Sequence, residues 1–393
     1  MRIVTCIAPV NIAVIKYWGK RNEELILPIN DSISASLDTN QMCAKTTVMI
    51  SPDFESDRIW LNGREESIDN KRLQRCIQEI RKRVAVSGGT LSEEICQWKI
   101  HICSENNFPT AAGLASSAAG YACLAAALAK LYDFTGNISE IARLGSGSAC
   151  RSVYGGFVRW YMGSDPTGRD SIAKQIAPET HWPEMRIIVL VVNDSKKKVS
   201  SAIGMKRSVE TSKLLEYRAK HVPQKVEEMH QAILDKNFSK FAELTMRDSN
   251  QMHAVCLDTF PPCFYLNDIS CTIIQLINAY NSAFDSIKVA YTNDAGPNTV
   301  LYLLEENVPL VLGLIDFFFP PSTISGQLYK KGNPPESITP TKKLLEKIDL
   351  QPQPIGSIRN IIYTRIGCGS TQLQNPSEHL LDNNGLPKNI QYL

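Results

Sequence analysis

The sequence has 393 residues, which is more than one ordinary hydrophobic core accommodates, so its length predicts two domains. Hydrophobic residues make up 43% and charged residues 21% of the chain, as in soluble globular proteins. The net charge of +2 gives no general attraction to nucleic acid or to an anionic membrane. Any polyanionic ligand must therefore be held by a local site.

The 11 cysteines occur singly, without a CxxC pair and without the spacing of a zinc site. An odd number of cysteines and an N-terminus that resembles a strand rather than a signal peptide indicate a reducing compartment, so we expect a cytoplasmic protein. The apolar runs are too short to cross a bilayer. We expect no membrane or nucleic-acid partner.

The first half of the chain alternates short strands with helices, one of which follows a Gly/Ser/Ala-rich segment described below. An Asn-Gly pair after Ile59–Leu61 predicts a hairpin turn. The predicted strands are Arg2–Ala8, Ile33–Leu37, Ala44–Met49, Trp98–Cys103, Tyr154–Met162 and Met185–Asn193, and the predicted helices are Lys71–Val84 and Ile138–Leu144.

The second half is richer in helical periodicity. The predicted helices are Glu210–His221, Pro223–Lys236, Phe238–Met252, Leu266–Asn281 and Val308–Phe318, and the predicted strands are Val289–Thr292, Thr299–Leu304 and Asn360–Ile366. We expect the tail after Thr371 to pack loosely. This alternation predicts an α+β or mixed α/β fold. The sequence lacks the GxGxxG and GxxxxGK[ST] motifs of dinucleotide and P-loop sites.

The segment from Pro109 to Gly120 is rich in Gly, Ser and Ala and runs into a predicted helix that ends near Tyr132. Small side chains allow a ligand to approach the backbone, and the first amides of a helix have no intrahelical partner. With the helix dipole, these amides favour a phosphate. The alternative is a tight loop before a buried Ala-rich helix.

Four motifs carry a family resemblance. The loop from Pro109 to Gly120 resembles the phosphate-binding loop of the GHMP kinases. The segments Asn11–Lys20, Asn107–Ser117, Gly145–Arg151 and Asp294–Asn298 narrow the resemblance to the mevalonate diphosphate decarboxylases, and to their animal branch. The resemblance covers essentially the whole chain. It implies a mixed α/β two-layer GHMP kinase fold, with an N-terminal ribosomal-S5-like domain over 1–190 and a C-terminal ferredoxin-like domain over 191–393, separated by a cleft.

The resemblance also implies a reaction, in which ATP and (R)-5-diphosphomevalonate give isopentenyl diphosphate, CO2, ADP and phosphate. Phosphorylation of the tertiary 3-hydroxyl precedes the loss of phosphate and CO2. Asp294 follows a predicted strand, in a turn bounded by Gly and Pro. We expect it to be the base that accepts, or orients, the hydroxyl proton. On the sequence alone, an Asx-turn that caps Gly296 is an equal alternative.

Arg151 follows a second Gly/Ser run and is expected to grip the substrate carboxylate through its planar guanidinium. The alternative is a surface arginine at a helix end. Within the same run, Ser146, Gly147 and Ser148 are expected to bind the substrate diphosphate, and their alternative is an ordinary flexible loop.

The segment after the first strand supplies the other expected substrate contacts. Tyr17 and Lys20 are assigned to the diphosphate, and Lys16 is assigned as a cation near the transferred phosphoryl group or Asp294. Asn11 is a candidate for the carboxylate or the 3-hydroxyl, although an Asn after a strand usually caps a turn.

The expected ATP site is the loop and the start of its helix. Its residues are Asn107, Pro109, Ala112, Gly113, Leu114, Ala115, Ser116 and Ser117. One serine is expected to bond the β/γ-phosphates or their Mg2+, and the resemblance places Ser117 nearer the γ-phosphate. Mg2+ is expected to arrive with ATP, because the sequence has no cluster of metal ligands.

Three points stay open on the sequence. The basic segment from Lys196 to Ser201 is either a solvated turn or a closure over ATP. His253 is more consistent with packing than with ligand binding. A GHMP kinase that phosphorylates and stops, and a non-catalytic nucleotide-binding protein, are the alternatives to the decarboxylase. A homodimer is implied by the resemblance alone.

Overall fold

The computed structural model of the protein describes residues 1–86, 93–108, 116–192, 198–284, 286–322 and 329–388. Its strands form separate sheets, and the helices pack against them. The strands are β1 Arg2–Pro9, β2 Asn11–Ile15, β3 Lys20–Asn22, β4 Leu27–Pro28, β5 Ser32–Ser36, β6 Cys43–Ser51, β7 Arg58–Leu61, β8 Arg64–Glu66, β9 Lys99–Asn106, β10 Phe157–Trp160, β11 Ala173–Ala177, β12 Met185–Val191, β13 Val289–Asn293, β14 Thr299–Leu304, β15 Lys330–Lys331, β16 Asn360–Arg365 and β17 Thr371–Leu373.

The helices pack on both sides of these sheets. They are α1 Lys71–Val86, α2 Glu93–Gln97, α3 Ser116–Leu131, α4 Ile138–Gly145, α5 Ala149–Ser152, α6 Ser201–Thr211, α7 Lys213–Leu234, α8 Phe238–Asp258, α9 Asp268–Ser282, α10 Val308–Phe318 and α11 Lys342–Ile348. Within the described ranges, none of them is both long enough and apolar enough to cross a membrane.

The first sheet has the strand order β17-β1-β6-β9-β7-β8. Helix α3 lies on β1 and β6. Its alanines from Ala118 to Ala129 are buried on nearly all sides, because small side chains let the helix axis approach the sheet closely. The start of α3 is therefore fixed rigidly against the sheet.

The second sheet has the order β11-β10-β5-β2 and the third has the order β13-β14-β12-β16-β15. Alternate residues of β12 point to different apolar clusters. Ile187 and Val189 join a core that extends to β1 and α3, whereas Ile188 and Leu190 pack against α9 and α10. One strand thus carries a core on each face of its sheet.

Most strands and helices lie where the sequence predicts them. The hairpin turn has positive φ at both Asn62 and Gly63, as the Asn-Gly pair predicts. The predicted helix boundary just before Pro223 is wrong. The boundary between α6 and α7 is at Ser212, and Pro223 lies inside α7. Burial of Val222 and Val226 on either side of the proline offsets its cost of about 3 kcal/mol.

The expectation of a loosely packed tail is also wrong. Strand β17 pairs with β1 in the register Thr5 to Leu373, and Leu381 packs against Met49 and Trp60 of the first sheet. The segment closes the edge of that sheet and covers its outer face.

Candidate active site

A cleft of about 530 Å³ is lined by residues from both the first and the second half of the chain. Its lining comes from the segments that carry the sequence motifs and from α6 and α8. The described residues that line it are Asn11, Ala13, Lys16, Tyr17, Trp18, Lys20, Ile26, Arg72, Ser116, Ser117, Ser146, Gly147, Ser148, Arg151, Ser200, Ser201, Ala202, Met205, Met252, Asp294 and Ala295. The cleft therefore brings together most of the residues that the sequence assigns to substrate and catalysis.

The lining has the composition of an anion site. Its described cations are Lys16, Lys20, Arg72 and Arg151, and Asp294 is the carboxylate among the described lining residues. Six serines from three separate segments add hydroxyl groups. A chain with a net charge of only +2 thus concentrates positive charge and hydrogen-bond donors in one place.

The Lys16 ammonium and the Asp294 carboxylate form an ion pair at the centre of this site. Lys16 Nζ lies 2.6 Å from Asp294 Oδ1, and the side chains are 2% and 34% exposed. Lys16 directly follows β2, and Asp294 directly follows β13. The Gly296 amide donates to the main-chain carbonyl of Asp294 at 2.7 Å. The Asp294 carboxylate is thus partly exposed at the cleft, and the Lys16 ammonium that pairs with it is buried.

Arg151 is a buried cation whose described hydrogen-bond partners are neutral. It is 2% exposed, and its Nε donates to Ser34 Oγ at 2.9 Å and to Asn11 Oδ1 at 3.3 Å. Its Nη1 donates to Ser32 Oγ at 2.5 Å. Burial lowers the pKa of Arg151, while Cys150 and Asp294 act in the opposite direction. The guanidinium is held in place without a matched carboxylate in this set of contacts.

Asn11 lies beside Arg151 and is held by the protein. Its amide donates to the carbonyl of Ser148 at 3.0 Å and to Ser152 Oγ at 2.7 Å. In this structure, Asn11 therefore links the Arg151 side chain to the start of α5.

Tyr17 and Gly147 are in contact with each other in the cleft. A Cβ atom on Gly147 would lie 2.8 Å from the Tyr17 ring, so a side chain there would displace the tyrosine. The Tyr17 ring packs edge-on against Trp160 at 4.7 Å. Its hydroxyl is buried without a hydrogen-bond partner, and burial raises its pKa. An unsatisfied buried donor that borders a cleft is suited to a polar ligand.

Lys20, unlike Arg151 in its described contacts, has a carboxylate of the protein as a hydrogen-bond partner. Its Nζ lies 2.6 Å from Glu23 Oε2, and the lysine side chain is 4% exposed against 51% for the glutamate. An anionic ligand that binds Lys20 must compete with an exposed carboxylate.

A second cavity, of about 1050 Å³, meets the first at Ser116 and Ser117. These serines begin α3, and Ser117 Oγ lies 3.4 Å from Ser146 Oγ. The described lining of the second cavity includes Asn106 but not Asn107, whose Oδ1 accepts the Cys43 amide at 2.8 Å. The two cavities therefore join at the first turn of a helix, where the helix dipole favours anions.

The other predicted loop residues lie outside the described residues. They are Pro109, Ala112, Gly113, Leu114 and Ala115. Lys196 is also outside them, whereas Ser200 is the N-cap of α6 and lines the cleft with Ser201.

The sequence analysis did not assign Arg72, Ser32 or Ser34. Arg72 is on the first turn of α1 and reaches the cleft from the first half of the chain. Ser32 and Ser34 alternate along β5, so both point to the Arg151 side chain. The alternation was visible in the sequence, but the partner of these hydroxyls was not.

Metal ligands and histidines contribute little to this site. Among the residues with described positions, no cluster of His, Cys, Asp or Glu is suited to holding a metal ion. His253, on α8, is 8% exposed and lies near the ion pair. Burial, together with the Lys16 charge, lowers its pKa to about 4. Its imidazole is therefore neutral at physiological pH.

Comparison with known proteins identifies the family. A family described as "Diphosphomevalonate decarboxylase-like N-terminal domain" matches residues 8–173, and one described as "Mevalonate 5-diphosphate decarboxylase C-terminal domain" matches residues 187–373. The diphosphomevalonate decarboxylase of Bos taurus is 52% identical over 391 residues, which cover 98% of this chain and 97% of the relative.

Solved structures agree in fold. The mevalonate diphosphate decarboxylase from Trypanosoma brucei has a TM-score of 0.85 at 38% identity, covering 97% of this chain and 100% of that one. The enzyme from Enterococcus faecalis, in a structure described by mevalonate diphosphate-mediated ATP binding, has a TM-score of 0.72 at 29% identity, covering 95% and 100%. A complex described as MDDEF with MVAPP, AMPPCP and magnesium has the same values.

These matches confirm the fold class predicted from the sequence, which is the mixed α/β fold of the GHMP kinases. The chain belongs to the diphosphomevalonate decarboxylase family. The identity with an animal relative also confirms the branch that the motifs indicated.

The lowered pKa of His253 predicts a pH dependence of stability. In the unfolded chain this imidazole binds a proton near pH 6.5, whereas in the folded chain it does so only near pH 4. The unfolded state therefore holds more protons between these values, and stability falls as the pH falls from about 6.5 to 4. The loss amounts to roughly 3 kcal/mol at most.

Urea unfolding at pH 7.5 and pH 5 measures this effect. We expect His253→Gln to lose less stability than the wild type between the two pH values. His221→Gln, at an exposed histidine, is the control and should behave as the wild type. Equal losses in all three proteins would contradict the assignment.

Proposed function

We propose that this cleft catalyses the ATP-dependent decarboxylation of (R)-5-diphosphomevalonate to isopentenyl diphosphate, with release of ADP, phosphate and CO2. This is a step of the mevalonate pathway of isoprenoid and sterol biosynthesis. The observation that carries the proposal is the Lys16–Asp294 ion pair in a cleft that also contains a buried arginine and the start of α3. Family membership assigns the chemistry to this geometry.

The substrate has a diphosphate at one end and a carboxylate near the other, and the cleft contains several cations and hydroxyl groups for these two anions. The diphosphate is assigned to Tyr17, Lys20, Gly147 and Arg72, together with the hydroxyls of Ser146 and Ser148. The buried Tyr17 hydroxyl supports this assignment, since a phosphate oxygen supplies the acceptor that it lacks.

Arg151 is assigned to the C1 carboxylate. Its guanidinium is fixed by hydroxyl and amide groups, so it keeps a full charge for a ligand. Asn11 supports this role by holding Arg151 and bordering the same space. The 3-hydroxyl is assigned to Asp294, which lines the same cleft.

ATP is assigned to the second cavity, with its phosphates at the junction of the two cavities. Ser116 and Ser117, which line both cavities, are assigned to the β- and γ-phosphates. The family motif assigns Asn107, Pro109 and residues 112–115 to ATP as well. Bound Mg2+ would neutralise phosphate charge and would retain waters of its own. A serine hydroxyl at the start of α3 suits its oxygen preference.

The first chemical step needs a base and a fixed acceptor. As the γ-phosphoryl group transfers to the 3-oxygen, Asp294 takes the hydroxyl proton and ADP leaves. Lys16 stabilises the ionised form of Asp294 before the transfer. Its ammonium is also assigned to the negative charge that accumulates on the transferred group.

The second step breaks two bonds. The 3-phosphate leaves with the electron pair of its C–O bond, and positive charge develops at C3. The bond between C2 and the carboxylate carbon then supplies the electrons of the new double bond, and CO2 departs. Arg151 holds the carboxylate in the orientation that this requires and does not itself exchange a proton.

We also propose, on the family resemblance, that the chain is a cytoplasmic homodimer. A division into domains at 1–190 and 191–393 remains our assignment. It must allow for the segment that contains β17, which returns to pack on the first sheet.

Incubation of the purified protein with ATP, Mg2+ and diphosphomevalonate tests the proposal. We expect release of CO2 and isopentenyl diphosphate together with ADP. A stable 3-phosphorylated product would instead identify a kinase, and nucleotide binding without turnover would identify a non-catalytic relative. Omission of diphosphomevalonate is the control for background ATP hydrolysis.

Asp294→Asn removes the base while keeping the shape of the side chain. We expect turnover to fall by about 10²- to 10⁴-fold, because a general base contributes in this range. Calorimetric titration should show that diphosphomevalonate still binds. Asp316→Asn, at a carboxylate that bonds Lys330 and Ser337 away from the cleft, is the matched control. Near-normal turnover in Asp294→Asn would exclude the assigned role.

Arg151→Lys keeps the charge but removes the planar guanidinium. We expect kcat/KM to fall by about 10²-fold or more, since one ammonium does not replace the separate contacts to Ser32, Ser34 and a ligand. Arg159→Lys is the control. Arg159 lies on β10, pairs with Asp31 and is not among the described residues that line the cleft. An unchanged rate in Arg151→Lys would assign Arg151 a structural role alone.

A further inference from the structure

Lys16 and Asp294 are 278 residues apart in sequence and follow strands of different sheets. Their separation of 2.6 Å therefore depends on what holds the two strand ends together. Helix α8 packs against both β2 and β13. The ends of β2 and β13 are therefore supported by the same helix.

On the Lys16 side, the support is a buried ion pair. Asp248 of α8 accepts the main-chain N–H of Lys16 at 2.7 Å, and Arg218 of α7 donates to the main-chain carbonyl of Lys16 at 3.1 Å. Arg218 also donates to both oxygens of Asp248, at 2.7 and 3.0 Å. Both charged side chains are 0% exposed. The ion pair thus holds the Lys16 residue by its N–H and its carbonyl.

On the Asp294 side, the support is a hydroxyl from the next residue of the same helix. Ser249 Oγ accepts the main-chain N–H of Asn293 at 3.0 Å, and Ser249 is 1% exposed. Asn293 ends β13, and its side chain is tied to Thr299 Oγ1 at 2.8 Å. Asp294 is the next residue along the chain. Its carboxylate position therefore follows the Ser249 contact.

We propose that α8 sets the distance between the Lys16 ammonium and the Asp294 carboxylate, with Asp248 and Ser249 as positioning residues. Neighbouring positions on a helix point about 100° apart, so two consecutive side chains reach two strand ends on either side of the helix. A helix is stiff over one residue, and Asp248 and Ser249 are both buried. The two catalytic groups thus keep a fixed separation although they come from different sheets. This inference rests on the proposed function.

Ser249 gives a sharper test than Asp248. Substitution of Asp248 would leave the buried Arg218 charge without its partner and endanger folding. Ser249→Ala removes one hydroxyl and leaves Asn293 N–H unpaired. We expect kcat to fall by about 10- to 100-fold, because small misplacements of reacting groups have effects of this size. KM for diphosphomevalonate should stay within about twofold, because Ser249 does not line the cleft.

Two further variants complete the experiment. Ser249→Thr keeps the hydroxyl and should recover most of kcat. Thr245→Val removes a buried hydroxyl one turn earlier on α8, whose hydrogen bond goes to Phe241 within the helix. It should leave kcat unchanged. Crystal structures of the wild type and Ser249→Ala should show the Lys16 Nζ to Asp294 Oδ1 distance lengthening beyond hydrogen-bond range.

The outcomes separate the positioning role from the proposed function. Absence of CO2 release by the wild type would reject the proposed function, and the distance in the Ser249→Ala structure would still decide the positioning role. An active wild type with unchanged kcat in Ser249→Ala would overturn the positioning role. Equal losses in Ser249→Ala and Thr245→Val, or an unchanged ion-pair distance, would overturn it as well.

Discussion

The ion pair between Lys16 and Asp294 is the constraint on which the rest of the site depends. A lysine that is 2% exposed is costly to keep charged unless an anion lies beside it, and Asp294 lies at 2.6 Å. The pair forms only when β2 and β13 end at the same place. The packing of α7 and α8 between the sheets, with the buried Arg218–Asp248 pair, therefore has a consequence at the cleft as well as in the core.

The rest of the cleft concentrates positive charge in a chain whose net charge is only +2, which is what binding of polyanions requires. The described lining gathers cations and serine hydroxyls from segments far apart in sequence, and it adjoins the first turn of α3. Because α3 is packed on its sheet by small residues, the positive end of its dipole stays directed at the junction of the two cavities. Helix dipole, hydroxyls and point charges then act on the same small volume.

Local patterns in the sequence predicted much of this arrangement. Runs of apolar residues predicted β12, β13, β14 and β16 of the third sheet. Asn62-Gly63 predicted a hairpin turn because few residues other than Gly and Asn tolerate its dihedral angles. The motif segments predicted which residues line the cleft. Predictions from local propensity were wrong where tertiary packing prevailed, as at Pro223, which buried neighbours hold inside a helix, and in the tail, which an open sheet edge recruits as β17.

The supporting contacts could not be predicted in the same way. Asp248 and Ser249 are ordinary polar residues in a helical pattern, and nothing in their spacing indicates that their partners are Lys16 and Asn293. Arg218 resembles any charged helix residue until its burial is known. Such long-range pairs depend on which helix face meets which strand end, and one sequence carries no direct record of that contact.

The described surroundings of Arg151 fit the role that we propose for it, which is to hold the substrate carboxylate until that group leaves as CO2. The described partners of Arg151 are neutral hydroxyl and amide groups, which hold the guanidinium in place and do not neutralise its charge. In the proposed reaction, conversion of the carboxylate to neutral CO2 would remove the anionic partner of Arg151. The hydroxyls of Ser32 and Ser34 would still solvate the buried cation, so the same contacts would suit both the charged reactant and the uncharged product.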